Sequence, residues 1–337
     1  MENKVYVVTV TYGNRFDLLK QVIDAALNEG VYKVIVVDNK SELESRNKLM
    51  EYEKLSNDKL KVLYLDDNYG SAGGFKRGLE LAYNDPECEF IWLLDDDNKP
   101  MENSLKELLN FWYSLNLENK EEKVALLPYR FKRERLARQA VIYNKPELFL
   151  GFKNSFLRFH VKELIHKVCK HLKIRLKLIE TSLGQENDVK FGKLPLAPYG
   201  GLFIHKNILA KVGYPDESLY LYEDDTEWTY RIKKMGGEIY LILESKIDDI
   251  ELSTHVAKNE KQLAFVMLSR GEPYKIYYTI RNRVFFEKNN LLDNKIIYWI
   301  NVFLYSLLIS LSSCKKTKLI LRAIKDGYRG NLGKVKF

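Results

Sequence analysis

The sequence predicts an α/β fold, a mixed and mostly parallel sheet flanked by helices, on two observations. Short apolar runs alternate with amphipathic stretches through the first part of the chain, which is the order of a βαβ sheet. Three of those runs also close on acidic residues, as expected where ligand loops gather at the C-terminal ends of parallel strands. With 337 residues, 46% of them hydrophobic, the chain can build one large domain with appendages or two domains.

In order along the chain, VYVVTVT (5–11), KVIVVD (33–38), KVLYLD (61–66), FIWLLD (90–95) and KVALLP (123–128) read as strands. Residues 16–28, 43–55, 74–84 and 102–115 read as the intervening helices. Asp38 follows the second strand, Asp66 and Asp67 the third, and Asp95, Asp96 and Asp97 the fourth, so these acids are expected to converge on one sheet edge. A lone Asp in such a place is an ordinary cap or turn residue, and convergence is what favours a site.

Residues 130–195 break the pattern. RFKRERLARQ is densely basic, and a stretch from Val161 to Leu178 has apolar residues at helical spacing with basic residues between them. This is expected to be a basic helical insertion off the sheet, lying on anionic lipid or covering the protein's own core. His160, His166 and His171 fall in it and are read as solvated or lipid-facing. After Pro198 the globular pattern returns: YGGLFIHK suggests a short strand, LYLYEDDTEWTYRIKKMG a loop entering a helix, EIYLILES a strand, and Tyr274 to Lys288 a helix. The expected organisation is a first half-domain over 1–129, the insertion over 130–195, a second half-domain over 196–258 and a C-terminal helical, membrane-associating region over 259–337.

The balance of 54 Lys and Arg against 46 Asp and Glu suits nucleic acid, anionic lipid or an anionic substrate equally, and composition does not choose. Three cysteines without paired spacing indicate neither a disulfide framework nor a zinc site, and a reducing cytosol fits them. The N-terminus has no export signal in its sequence pattern. Residues 296–314 carry no charge and precede Lys315, Lys316 and Lys318; the length would just span a bilayer. Asn301 and four serines favour a helix that lies in the interface or packs on the domain.

Three constellations carry chemistry. Adjacent carboxylates at a strand end need a counter-charge, and Mg²⁺ or Mn²⁺ supplies one while bridging to phosphate oxygens. Alternation along an extended segment lets Asp95 and Asp97 face one site together with Asp96 turned aside; the other reading is an acidic turn capping a helix. So few protein ligands favour a metal completed by a nucleotide diphosphate. Next, NYGSAGGFKRG (68–78) is a glycine-rich turn feeding a helix, where Gly70, Gly73 and Gly74 permit close approach of a ligand and Lys76 and Arg77 favour anions. It is neither a P-loop nor a dinucleotide fingerprint. Finally, YEDDTEW (222–228) crowds Glu223, Asp224, Asp225 and Glu227 at a helix start, as caps or as a general base in a cleft.

Together, VTVTYGNR, VVDN, DDNYGSAGGFKRG, WLLDDDNKP and YEDDTEWTYRI resemble the family-2 glycosyltransferases of the GT-A fold. The AGGF turn, the aspartate triplet and YYTIRNRVFF resemble the bacterial galactofuranosyl and rhamnosyl transferase branch. The resemblance covers 4–128 and 199–255, and residues 130–195 fall outside it. It implies donor binding by Thr11, Tyr12, Asp38, Asp67, Asn68, Gly73, Gly74, Arg77 and Asp96. It also implies Mn²⁺ or Mg²⁺ on Asp95 and Asp97 with His255 as third ligand, and Asp225 as catalytic base. Glu223 is an extra acid that leaves the register open by one, so Asp224 remains a candidate base.

The implied reaction is an inverting, metal-dependent transfer of galactofuranose or rhamnose from UDP-galactofuranose, or secondly dTDP-rhamnose, to a lipid-linked glycan acceptor in bacterial surface polysaccharide synthesis. Anionic membrane surface is the expected partner and nucleic acid is not; the location is peripheral, on the cytoplasmic face of the inner membrane. Two alternatives are a sugar-phosphate nucleotidyltransferase and a non-catalytic scaffold of a glycan-assembly complex. The first would carry a glycine-rich, Arg-containing loop after its first strand, where TYGNRFD has a single glycine.

Overall fold

The computed structural model describes residues 3–133, 135–162, 189–251, 271–312 and 316–337. Nine strands form one sheet: β1 (Val5–Gly13), β2 (Lys33–Ser41), β3 (Leu60–Tyr64), β4 (Phe90–Asp95), β5 (Asn98–Pro100), β6 (Val124–Arg130), β7 (Phe191–Leu194), β8 (Phe203–His205) and β9 (Glu238–Asp249). The order is β3-β2-β1-β4-β8-β6-β9-β5, with β7 also paired to β9. The β3-β2-β1-β4 half is parallel; β8 enters antiparallel between β4 and β6. The expected mixed, mostly parallel sheet is therefore the architecture observed.

Alternation sorts the side chains of β1 onto two faces. Val5 and Val7 join a core with Leu19, Val22 and Ile23 of α1 (Phe16–Asn28), Leu49 of α2 (Leu43–Leu55), and Leu105, Leu108 and Trp112 of α4 (Ser104–Ser114). Tyr6 and Val8 join the opposite core, with Phe75 and Leu79 of α3 (Gly70–Asn84), Ala137 and Ala140 of α5 (Arg135–Ile142), and Trp228 and Ile232 of α6 (Asp224–Lys234). This period of two on a sheet covered by helices is what the apolar runs require. A further core joins α7 (Pro273–Asn290), α8 (Lys295–Ser312) and α9 (Thr317–Arg329).

Three expectations change. Helix α3 starts at Gly70 rather than residue 74. Glycines weaken a helix in isolation, but here a Cβ on Gly74 would meet Val10 Cγ1 at 2.6 Å and one on Gly78 would meet Val8 Cγ1 at 2.4 Å. The glycines let the helix lie directly on β1, so tertiary packing overrides propensity. The basic stretch is also tied into the sheet at both ends: β6 runs to Arg130, and Phe191–Leu194 pairs antiparallel with Ile239–Ile242 of β9. Its amphipathic run from residue 163 to 178 lies outside the described residues, as do His166 and His171. His160, expected to be solvated or lipid-facing, is 6% exposed, and its Nδ1 accepts from the Lys162 amide at 3.1 Å.

Candidate active site

Three adjacent carboxylates resist desolvation unless each is neutralised. Arginines do much of this. Asp96, 4% exposed, accepts from Arg15 Nε and Nη2 at 2.8 Å each and from Thr11 Oγ1 at 2.9 Å. Two parallel N–H···O bonds make this a bidentate clamp. Burial opposes charge on Arg15, yet Asp96 and Glu251 outweigh it and raise the guanidinium pKa. The middle aspartate is thus turned aside into the protein.

Its neighbours face elsewhere. Asp95 Oδ2 lies 3.7 Å from Arg130 Nη1, and Arg130 in turn grips the buried Asp249. Asn98 Nδ2 donates to Asp97 Oδ1 at 3.1 Å and to Asp249 Oδ1 at 2.9 Å. Arg15 Nη2 stands 4.0 Å from Asp97 Oδ2. Burial, and then the nearby Asp95, push Asp97 up to about 6, against Arg133 and Arg130. Asp95 is raised as well, chiefly by burial. Asp249 Oδ2 is buried with no hydrogen-bond partner among the described residues, and its charge adds to that on both.

Gly200 closes over this group. A Cβ there would meet Asn98 Oδ1 at 2.1 Å and both Asp95 Oδ2 and Arg130 Nη1 at 2.6 Å, so only a bare backbone fits. Gly200→Ala is therefore expected to push the triplet out of place. A misplacement of about 1 Å costs on the order of 10²-fold, and kcat/KM of the variant measured against wild type checks it.

Across the sheet edge, α6 begins with the second acidic group. Asp224, 2% exposed, accepts from Ser71 Oγ at 2.8 Å, and burial above all pushes it up to about 7. Asp225 is only half-buried, and its Oδ1 accepts from the Thr226 amide at 2.7 Å. Burial, then Asp224 and Glu223, raise it well above the usual carboxylate range. Asp95 also raises both, so the strand-end triplet and the helix-start pair face one another electrostatically.

The ambiguous register resolves through packing. Glu223 takes an ion pair with Arg283 at 3.2 Å. Asp224 is tied to α3 through Ser71, leaving Asp225 as the half-exposed carboxylate of the pair. Glu227 pairs with Arg231, whose Nη1 donates to Val212 O at 3.1 Å and Tyr214 O at 3.0 Å. That side of the motif is a staple holding α6 in place.

Several residues expected to face a donor are occupied internally. Asp38 is fully buried and held by Arg46 and by the Ser41 amide at 2.8 Å. Thr11 is committed to Asp96, and Gly74 to packing on Val10. Gly73 sits against Tyr69 Cβ, Arg77 Nη1 and Glu217 Oε2. Arg77 and Lys76 both pair with Glu217, at 2.7 and 2.6 Å. Each correction has one cause: a charge or glycine on a buried edge is used by its nearest packing partner. Tyr12 is 52% exposed, and Asp67, also exposed, pairs with Lys334 at 2.9 Å. Asn68 Oδ1 accepts from the Gly70 amide at 2.8 Å.

The oxygen-only pair Asp95 and Asp97 fits Mg²⁺ or Mn²⁺, whose shell is completed by phosphate and water. Among the described residues no group of three or more His, Cys, Asp or Glu side chains is arranged to hold a metal ion. His255 lies outside the described residues. Sequence reading missed Arg15, Arg130 and Asp249; the only signal was an Arg four residues past Thr11, inside the quoted VTVTYGNR.

The chain is similar to several known glycosyltransferases. Residues 6–119 match the family "Glycosyl transferase family 2". A dTDP-rhamnosyl transferase, RfbF, of Shigella flexneri is 23% identical over 290 residues, 86% of this chain and 82% of that protein. Among solved structures, GalNAc-T7 with UDP, GalNAc and Mn²⁺ superposes with a TM-score of 0.51 at 15% identity, over 97% of this chain, which spans 58% of that one. A mannosyltransferase from Pyrobaculum calidifontis, in complex with GDP-Man and Mn²⁺, gives 0.50 at 13% identity over 97% of this chain and 87% of that one.

Proposed function

We propose that this chain, whose residues 6–119 match glycosyl transferase family 2, is an inverting, metal-dependent sugar transferase of GT-A fold using a nucleotide-diphosphate donor. The carrying observation is that one segment borders both acidic groups: Gly200 lies against Asp95 and Asn98, while Ala197 exchanges hydrogen bonds with Thr229 Oγ1 of α6 at 3.0 and 2.8 Å. A sugar held between the two groups has the donor side on one wall and a base on the other. The family match and the rhamnosyl transferase relative favour this reading over the nucleotidyltransferase and scaffold alternatives.

In this reading Asp225 accepts the proton of the acceptor hydroxyl as that oxygen attacks the anomeric carbon, opposite the leaving nucleoside diphosphate. Burial above all raises its pKa, which makes it a stronger proton acceptor than an ordinary carboxylate. Asp95 and Asp97 would hold the divalent ion, which when bound offsets charge developing on the diphosphate. Arg15 and Thr11 keep Asp96 fixed, so the turn that carries the outer pair is set before the donor arrives. Tyr12, Asp67 and Asn68 line the donor side; His255 is the proposed third ligand. The Shigella relative supports dTDP-rhamnose as the first donor to test, ahead of UDP-galactofuranose. Thermal-shift screening of nucleotide sugars with Mn²⁺ tests this: the true donor raises apparent stability, and no response to any nucleotide sugar would count against the reading.

A lipid-linked acceptor and a peripheral position on the cytoplasmic face of the inner membrane complete the proposal. Helix α8 exposes Ile296, Trp299, Ile300, Phe303 and Leu307, at the i, i+3, i+4, i+7 spacing of one stripe. Its other side packs Tyr298, Val302 and Tyr305 into the protein, and Asn301 Nδ2 donates to Asn154 O at 2.8 Å. Among the described residues no helix is long and apolar enough to cross a membrane. Helix α9 exposes Lys318, Arg322, Lys325 and Arg329, also at helical spacing. Its Tyr328 lies 5.0 Å from Trp299, so an apolar stripe adjoins a basic one, as an anionic interface requires. Flotation with phosphatidylglycerol vesicles is expected for wild type, weakened by salt and lost in Ile296→Ser/Phe303→Ser. Equal binding to neutral vesicles would count against an anionic surface.

A further inference from the structure

Helix α7 carries three consecutive buried polar residues, Arg281, Asn282 and Arg283, each 1% exposed or less. Such residues survive burial only if their hydrogen bonds are satisfied, and most of theirs go to the 218–223 loop, the others reaching Gly333 O, Leu150 O and Glu287. Asn282 Nδ2 donates to the carbonyls of Leu219, Leu221 and Tyr222 at 2.8, 2.9 and 2.7 Å. Arg281 Nη2 reaches Leu219 O at 2.9 Å, while its Nε donates to Asn282 Oδ1 at 2.8 Å and so sets which way the amide points. Arg283 Nη1 pairs with Glu223 at 3.2 Å and its Nε with Glu287 at 2.8 Å.

The segment they grip leads directly into Asp224 and Asp225, and its backbone is unfavourable in isolation. Tyr220, Tyr222 and Glu223 have φ of 65°, 62° and 60°, in the left-handed region that side chains other than glycine, Asn and Asp seldom adopt. A non-glycine residue held there persists when its surroundings over-determine it. On the other flank, Glu217 is held by Lys76 and Arg77, and Gly70 presses so closely that a Cβ would lie 1.9 Å from Tyr220 O.

We propose that Arg281, Asn282 and Arg283 are positioning residues for sugar transfer: they fix the strained 219–223 loop from the C-terminal helices and thereby aim Asp225. This rests on Asp225 being the base. It makes α7 part of the catalytic apparatus as well as of the C-terminal helical region.

The test is a double-mutant cycle on kcat with donor binding measured separately. Asn282→Ala is expected to lower kcat on the order of 10²-fold, as for a mis-set catalytic group, with donor affinity within about twofold of wild type. In an Asp225→Asn background the same change is expected to do nothing further to residual turnover, because there is no longer a base to aim. Val284→Ala, on the same helix but facing its apolar core, should lower the melting temperature and leave kcat unchanged below it. If Asn282→Ala yields no folded protein, Arg283→Lys gives the same readings. The proposal fails if the folded variant keeps wild-type kcat, if its effect multiplies with that of Asp225→Asn, or if Val284→Ala lowers kcat equally. An active Asp225→Asn would instead overturn the base assignment, and the two failures are thereby told apart.

Discussion

Asp225→Asn is expected to lower kcat by about 10²–10⁴-fold while donor affinity stays within about twofold of wild type. The amide keeps the size and most of the packing of the carboxylate but accepts no proton. Donor binding should survive because Asp225 stands at the start of α6, on a different element from Asp95 and Asp97 after β4. The same residue sets the pH response. Its folded-state pKa is raised by burial, Asp224 and Glu223, and the active form is the ionised one. Turnover should therefore fall as pH drops through that raised value, on a limb lying above the ordinary carboxylate range. That limb should vanish in the variant. Wild-type turnover by Asp225→Asn, or an unchanged acid limb, would remove Asp225 from the mechanism.

Asp97→Ala is expected to abolish the Mn²⁺-dependent part of donor binding, read by calorimetry with and without the ion. Two raised carboxylates close together are poor company without a cation, and removing one leaves too few oxygens to bridge an ion to a diphosphate. The fold should persist. Asp97 is held by one Asn98 bond and a 4.0 Å approach to Arg15, whereas Asp96 carries the structural clamp. Asp96→Ala is the informative contrast: it removes the bidentate partner of Arg15 and leaves it only the more exposed Glu251, so stability should fall along with binding. Donor affinity that responds to Mn²⁺ as in wild type after Asp97→Ala would move the metal site elsewhere.

Much of the architecture was legible because its signals are local. The strand runs alternate with period two, the intervening helices have one apolar face, and glycine-rich or acidic turns mark the strand ends. That Asp96 points away from Asp95, into the protein, followed from alternation alone. What misled was the assumption that a polar residue at a strand end serves a ligand. Asp38 and Thr11 satisfy that description, yet Arg46 and Asp96 take them up, as Glu217 takes up Arg77 within α3. Sequence gives no measure of such competition, since each partner lies 8, 85 and 140 positions away.

The amino-acid order by itself determined the sheet's alternation, the acid-rich edge and the amphipathic C-terminal helix, because hydrophobic period and turn chemistry are properties of neighbouring residues. Only the tertiary structure decided which carboxylates stay available and which are neutralised. It also decided that Glu223 pairs with Arg283 and Asp224 with Ser71, and that a helix beginning at residue 273 holds the loop that leads into Asp225. Those outcomes depend on which buried charges meet across the fold, and burial makes every such meeting selective: a charge that finds its partner is spent, and one that does not is left for chemistry.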